Sequence, residues 1–238
     1  MAAGRGTRWN NYLGVPKQLA KIDGEPILYR TIRLLKENGI TDIAVTVSEK
    51  NCFGDLLGAK EIVGKSELEL DRFKNAEKNN PDVILYGDVF YTEKAIKTIL
   101  STECDKTIFF GRSGNNLLTG KKHGELLAVK TDKAFFKKVN ELYEIAPSMS
   151  RCIGWELYNY VVYGEAHRFS PQKKMKEKGM LKDFIEINDW TDDFDYPIDY
   201  DNFIERYEGA HIVHSVSENR KGPFSAIRAQ MHGSSLQG

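Results

Sequence analysis

The segment best suited to chemistry on anions is Ala2-Ala3-Gly4-Arg5-Gly6-Thr7-Arg8, followed after a short gap by Pro16-Lys17-Gln18. Small residues let backbone N–H groups approach phosphate oxygens closely, and exposed amides in such a loop form an anion-binding concavity. Arg8 and Lys17 add countercharge, one as a planar fork and the other as a point charge. A second feature is Gly87-Asp88, directly after the apolar run 82–86. A carboxylate just beyond the end of a buried strand sits where open α/β sheets bind ligands. Taken alone, a strand-terminal Asp is more often a cap for the helix that follows, a task Thr92 could perform equally well; the glycine loop is what turns the reading of Asp88 toward ligand binding. A third is the acidic stretch 188–200, with Asp189, Asp192, Asp193, Asp195 and Asp199. Like charges packed this closely repel, and a divalent cation would invert the penalty. The bland reading is an acidic turn ahead of a helix.

Weaker candidates are Arg112, in a polar loop with Lys121, Lys122 and His123, and Glu156, a charge in the aromatic stretch that begins Gly154-Trp155. The loop also reads as a solvated hairpin tip, and the aromatics as core. His211 and His214 could chelate, but read more simply as part of a polar tail.

These residues need a scaffold, and the pattern supplies one. Apolar runs alternate with helical periodicity, the arrangement of an α/β layered sheet. Strands are expected at 43–47, 82–86, 107–111, 126–130 and 184–187, with helices over 26–38, 67–79, 92–100 and 133–143. Pro26 suits a first helical turn and Gly39 a stop. One domain is expected over residues 1–208, with 209–238 as a C-terminal tail in which periodicity fades apart from 211–216.

With 238 residues the chain can bury a sizeable core. Its formal net charge of +0 offers no global field for nucleic acid or an anionic membrane, so anion binding must be local. Cys52, Cys104 and Cys152 are widely spaced, which argues against a zinc site or a disulfide framework; packing thiols in a reducing compartment are expected. No apolar run suggests membrane insertion and no signal peptide is evident, so the cytoplasm is the default. Gly64-Lys65-Ser66 lacks the upstream glycine of a P-loop, because position 59 is Ala59, and Trp9 replaces the third glycine of a dinucleotide fingerprint.

The loop, Pro16-Lys17 and the continuation through Leu28 to the strand at 43–47 resemble the nucleotidyltransferase family with a GT-A-like fold. That resemblance implies a three-layer α/β/α, Rossmann-like, mostly parallel mixed sheet. It implies nucleotide binding by Ala3, Gly4, Arg5, Gly6 and Thr7, catalytic roles for Arg8 and Lys17, and Mg²⁺ held by Asp88 and Asp195. Asp195-Tyr196-Pro197-Ile198-Asp199-Tyr200 is similar to the family's closing motif, which gives Asp199 a helix-capping role. The segment around Glu156 falls where the family's acceptor is usually bound, and the loop around Arg112 could bear on the acceptor phosphate. The implied reaction transfers NMP from an NTP to a small phosphorylated acceptor and releases pyrophosphate. CTP or UTP is favoured, with a sugar, polyol or amino-alcohol phosphate as acceptor and a polysaccharide precursor as product; molybdopterin guanylyltransferases share the opening motif. A homo-oligomer is left open.

One departure stands out: the family's glycine loop follows a central strand, and only Met1 precedes Ala2 here. A gap there would leave buried backbone groups unpaired, and 211–216 is the segment expected to replace the strand if any does. Two rival readings remain. In a GT-A glycosyltransferase, Asp193-Phe194-Asp195 would bind the metal of an NDP-sugar, though Arg8 and Lys17 tell against it. A non-catalytic nucleotide-binding or scaffolding protein would keep the fold without turnover.

Overall fold

The computed structural model describes residues 1–4, 6–64, 67–149 and 153–219. In chain order the elements are β1 (Lys21–Ile22), β2 (Glu25–Pro26), α1 (Ile27–Glu37), β3 (Ala44–Val47), β4 (Lys60–Val63), α2 (Glu69–Glu77), β5 (Val83–Leu85), β6 (Val89–Phe90) and α3 (Glu93–Ser101). They continue with β7 (Ile108–Arg112), β8 (Glu125–Lys130), α4 (Phe135–Ile145), α5 (Gly154–Tyr163), α6 (Pro171–Lys178), β9 (Phe184–Glu186), β10 (Asp192–Asp193) and α7 (Pro197–Asn219).

The main sheet has the order β5-β8-β7-β9. β8 runs antiparallel to both its neighbours, while β7 and β9 are parallel, so β8 is the reversed strand of a mixed sheet. Successive side chains of a strand point to opposite faces. Phe109, Val129 and Ile84 accordingly pack with Phe73 of α2, Val139 of α4 and Leu157 of α5. Ile108, Phe110 and Ala128 turn the other way, onto Leu34 of α1 and Ile96 of α3. Those two faces make the three layers of an α/β/α fold. Thr92 caps α3 by accepting from the Ala95 amide, which leaves Asp88 free of that task.

β3 and β4 form a separate parallel pair. Between β3 and β5 lies the position of the strand expected ahead of the glycine loop. Met1 makes two rungs there in the pattern of a parallel ladder, its nitrogen donating to the Leu85 carbonyl and its carbonyl accepting from the Gly87 amide at 2.6 Å. The Ala2 amide donates to Thr46 on the other side at 3.1 Å. Next to them runs a trench of about 490 Å³, lined by Leu28, Ile32 and Leu35 of α1, by the facing edges of β3 and β5, and by the polar residues Asp42, Asn79 and Asp82.

Segment 211–216 does not fill this position. It is helical, as part of α7, and the tail boundary expected at 208 falls inside the same helix. The end of the expected tail, 220–238, lies outside the described residues. Cys52 and Cys104 are free thiols, half-buried against apolar clusters, whereas Cys152 is outside the described residues. No helix of the described residues is long and apolar enough to cross a membrane.

Candidate functional site

The glycine loop is shaped by its neighbours. Gly6, at φ +59°, turns the chain so that its carbonyl accepts from the Trp9 and Asn10 amides at 3.0 and 3.2 Å. Trp9 is buried and edge-on to Tyr12 and Tyr200, and its Nε1 donates to the Val15 carbonyl at 2.8 Å. The indole thus clamps the gap between Arg8 and Pro16. Gln18, also buried, donates from Nε2 to the Ala2 carbonyl at 2.8 Å and ties Lys17 to the start of the loop.

Asp88 follows β5 and immediately precedes β6. That two-residue strand pairs antiparallel with β10, placing Val89 opposite Asp193 and Phe90 opposite Asp192. Residues about a hundred positions apart are thereby brought together at the mouth of the sheet. Lys17 Nζ pairs with Asp88 and lies 3.4 Å from Asp195 Oδ1; Arg8 pairs with the other oxygen of Asp195. Burial opposes the Lys17 charge, but Asp88 and then Asp195 outweigh it and raise the ammonium pKa to about 12. Burial likewise pushes the Asp88 carboxyl up, and Lys17, followed by Arg72 and a backbone hydrogen bond, more than reverses this, so its pKa is lowered.

All of these groups line one cleft of about 920 Å³, together with Gly4, Gly6, Thr7, Glu69, Arg72, Tyr86, His123, Glu125, Trp155 and Asp193. Ala3 is buried behind the loop, and Arg5 lies outside the described residues.

Behind the cleft, the acidic stretch finds its countercharges within the protein. Buried Arg112 pairs with buried Asp192 at 3.0 Å, and Asn116 and Thr119 also donate to Asp192. Lys121 lies 3.0 Å from Asp193 and 3.1 Å from Asp199. Asp189 accepts from Thr92 and from the Thr191 amide. Asp199 reaches back to the amides of Asp195 and Tyr196 at 3.2 and 3.0 Å, which fixes the start of α7. Five neighbouring aspartates therefore need no metal to coexist.

The two acceptor candidates sit outside the cleft lining. Arg112 is 1% exposed and committed to Asp192; Glu156 is 1% exposed and accepts from the Ile153 and Phe169 amides, stapling the start of α5. Sequence reasoning passed over Trp9, Gln18 and Arg72. Trp9 and Gln18 are adjacent to the motif residues, but nothing in their type shows that they hold the loop. Arg72 lies in an amphipathic helix whose charged face reads as solvated.

Among the described residues no group of three or more His, Cys, Asp or Glu gathers as a metal cluster. The donor set nevertheless suits a hard cation. Asp88 and Asp195 both reach one ammonium, and Asp193, whose Oδ1 meets Lys121 at 3.0 Å, adds a further carboxylate to the same cleft lining. Burial, reinforced by Glu125, raises the Asp193 pKa well above the ordinary carboxylate value.

No family model matches the sequence. A stretch of 50 residues is 48% identical to the bifunctional IPC transferase and DIPP synthase of Thermococcus kodakarensis; it takes in 21% of this chain and only 11% of that protein. The structure is similar to CTP:phosphocholine cytidylyltransferase from Streptococcus pneumoniae, with TM-score 0.50 and 16% identity over 86% of this chain and 95% of the other. It is also similar to a Bacillus anthracis structure ascribed to a glucose-1-phosphate thymidylyltransferase, with TM-score 0.53 and 13% identity over 86% and 92% of the two chains. The chain has the α/β fold of these nucleotide transferases.

Proposed function

We propose that this protein is a Mg²⁺-dependent nucleotidyltransferase that moves NMP from an NTP, CTP or UTP in the first instance, to a small phosphorylated acceptor. The observation that carries the reading is the Lys17 ammonium shared by Asp88 and Asp195 in a cleft that also contains the Gly4–Gly6 loop and Arg8. The local sequence match and the neighbours' printed activities point the same way.

In this mechanism an oxygen of the acceptor phosphate attacks the α-phosphorus, the bond from that phosphorus to its bridging oxygen breaks, and pyrophosphate departs with the electron pair. No general base is required, because the acceptor phosphate is already ionised at neutral pH. The chain's task is positioning and neutralisation of charge. Amides of the loop hold the triphosphate, Arg8 the departing phosphates, and Lys17 the α-phosphate as charge develops. To do so, Lys17 gives up part of its contact with Asp88 and Asp195, freeing carboxylate oxygens. Those two residues would hold Mg²⁺, which supplies charge neutralisation between the nucleotide and acceptor phosphates. A sugar, polyol or amino-alcohol phosphate is the acceptor class.

Thermal unfolding with CTP, UTP, GTP or ATP at about 1 mM, with and without Mg²⁺, tests the reading. A nucleotide bound a hundredfold below its concentration stabilises by about 2.7 kcal/mol, a rise of roughly 5 to 11 °C for a domain of this size. A Mg²⁺-dependent rise that Asp88→Ala abolishes is expected, followed by pyrophosphate release in an acceptor screen. A cooperative transition unmoved by every nucleotide would overturn it.

A further inference from the structure

Arg72 is the cation of the cleft that the mechanism above does not use. Arg8, Lys17 and His123 each meet a carboxylate within 4.0 Å, whereas Arg72 has no ion pair or hydrogen bond among the described residues, and its Nε is buried without a partner. An unpaired buried donor is costly, and an arginine offers five donors in a fixed fork.

Its position is set by the fold. Leu70, Phe73 and Ala76 bury one face of α2 against the core, and Asp71 secures the start of the helix by accepting from the Leu68 amide at 2.8 Å. Glu69, one turn earlier, accepts from Tyr86 Oη at 2.9 Å; burial raises its pKa and the Arg72 charge opposes this, but the two side chains make no ion pair within 4.0 Å. Arg72 is left to lie against the glycine loop. A Cβ built on Gly4 would stand 3.3, 3.4 and 3.5 Å from its Nη2, Cζ and Nη1. Three nearly equal distances mean that the guanidinium lies flat across the space where Gly4 lacks a side chain. The in-plane donors then run along the edge of the loop rather than into it. Arg72 also lowers the pKa of Asp88, after the larger effect of Lys17, so its charge is felt where the ion pairs converge.

We propose that Arg72 is a phosphate-binding residue that completes the anion cradle at the Gly4 edge of the loop. This rests on the nucleotidyltransferase reading and extends it. Glycine at position 4 then has a second purpose beyond letting amides approach an anion: it lets a planar cation stack on the loop. The recognised chemistry is a phosphate oxyanion, supplied either by the nucleotide or by the acceptor.

The test is calorimetric titration of the full chain with Mg²⁺ and the most stabilising of the four NTPs, its nucleoside, and pyrophosphate. Inorganic phosphate is titrated into protein already saturated with that NTP. Arg72→Gln should weaken NTP and pyrophosphate binding by about 10- to 100-fold, the loss expected for charge-assisted contacts, and leave the nucleoside unchanged. Arg72→Lys, which keeps the charge without the fork, should fall in between, and it carries the test if the glutamine variant does not fold. A loss confined to inorganic phosphate would assign Arg72 to the acceptor phosphate. If the wild type binds the NTP and neither variant changes any phosphate ligand, or the nucleoside weakens as much as the NTP, the role of Arg72 is refuted and the nucleotidyltransferase reading stands. If the wild type binds no nucleotide or phosphate at all, both fall.

Discussion

The cleft and the trench are two cavities that share Tyr86 as a wall, with Gly87 on the trench side and Asp88 on the cleft side, and they are held open by different means. The cleft, about 920 Å³, is walled by charges drawn from distant parts of the chain, with Lys17, Asp88 and Asp195 locked in one set of ion pairs. The trench, about 490 Å³, is walled by two strand edges and by aliphatic side chains interspersed with polar ones such as Asp42, Asn79 and Asp82, and Met1 and Ala2 bridge it with backbone hydrogen bonds. Charges brought together out of water must be paired, so the cleft is preorganised before any ligand arrives. Apolar walls across a gap gain nothing from one another, since dispersion needs contact. Substitutions in the cleft should therefore register in chemistry, and those in the trench in stability.

The largest effect should come from Lys17→Ala. Turnover measured by pyrophosphate release should fall by roughly 10²- to 10³-fold, the loss typical of one preorganised electrostatic donor. A drop of less than about threefold would remove Lys17 from the mechanism. Gly87→Ala probes the joint between the two regions. A Cβ there would stand 2.8 Å from Ala2 Cβ and 2.9 Å from the Met1 carbonyl. Overpacking of this kind costs about 1–3 kcal/mol, read by denaturant unfolding. Because Asp88 follows directly, the nucleotide-induced rise in Tm should shrink as well; a stability loss with a full nucleotide response would show that the cavities act independently.

Much of this contrast could be read from the sequence. The apolar alternation located the central strands and most helices, and the motif residues Gly4, Gly6, Thr7, Arg8, Lys17, Asp88 and Asp195 meet in one cleft. What could not be read was pairing. Arg112, in a polar loop, and Glu156, a charge in an aromatic stretch, read as acceptor candidates, because nothing local reveals that Arg112 will pair with Asp192 or that Glu156 will accept from two backbone amides. The protein countercharges of the acidic stretch were hidden for the same reason: Arg112 and Lys121 reach it only after the chain has folded. Short strands such as β6 and β10 carry too few residues to show periodicity, yet their pairing is what sets Asp193 opposite Val89. The stretch 211–216, expected to replace the missing strand if any segment did, is instead the continuation of helix α7.

Acid titration separates the carboxylates of the cleft. The folded pKa of Asp88 lies below its ordinary 3.8, so its pairing contributes stability that is fully present above that value and lost as pH falls through the folded pKa. Lys17 contributes fully below 10.5 and loses its share as pH rises through about 12. Asp193 has the opposite sign: with its folded pKa raised, stability declines as pH rises above 3.8. Urea unfolding across pH should accordingly show Asp88→Asn flattening the acid limb, and Asp193→Asn removing the decline on the alkaline side of it. If Asp88→Asn leaves the acid limb unchanged, the Lys17–Asp88 pair does not stabilise the cleft.

The smallest effect belongs to the trench and should be favourable. Thr46, at 3% exposure on its β3 wall, has a hydroxyl with no hydrogen-bond partner among the described residues. Valine has nearly the same shape and no polar atom to leave unsatisfied, so Thr46→Val should add about 1 kcal/mol. For a chain of this size that is a rise of roughly 2–4 °C in Tm. The backbone carbonyl that accepts from Ala2 is untouched, and nucleotide affinity should not change. A lower Tm would mean that the hydroxyl is hydrated and the trench admits water. An unchanged Tm with altered nucleotide binding would mean that the trench wall reaches the site through Ala2, and the division between a region for chemistry and a region for stability would have to be redrawn.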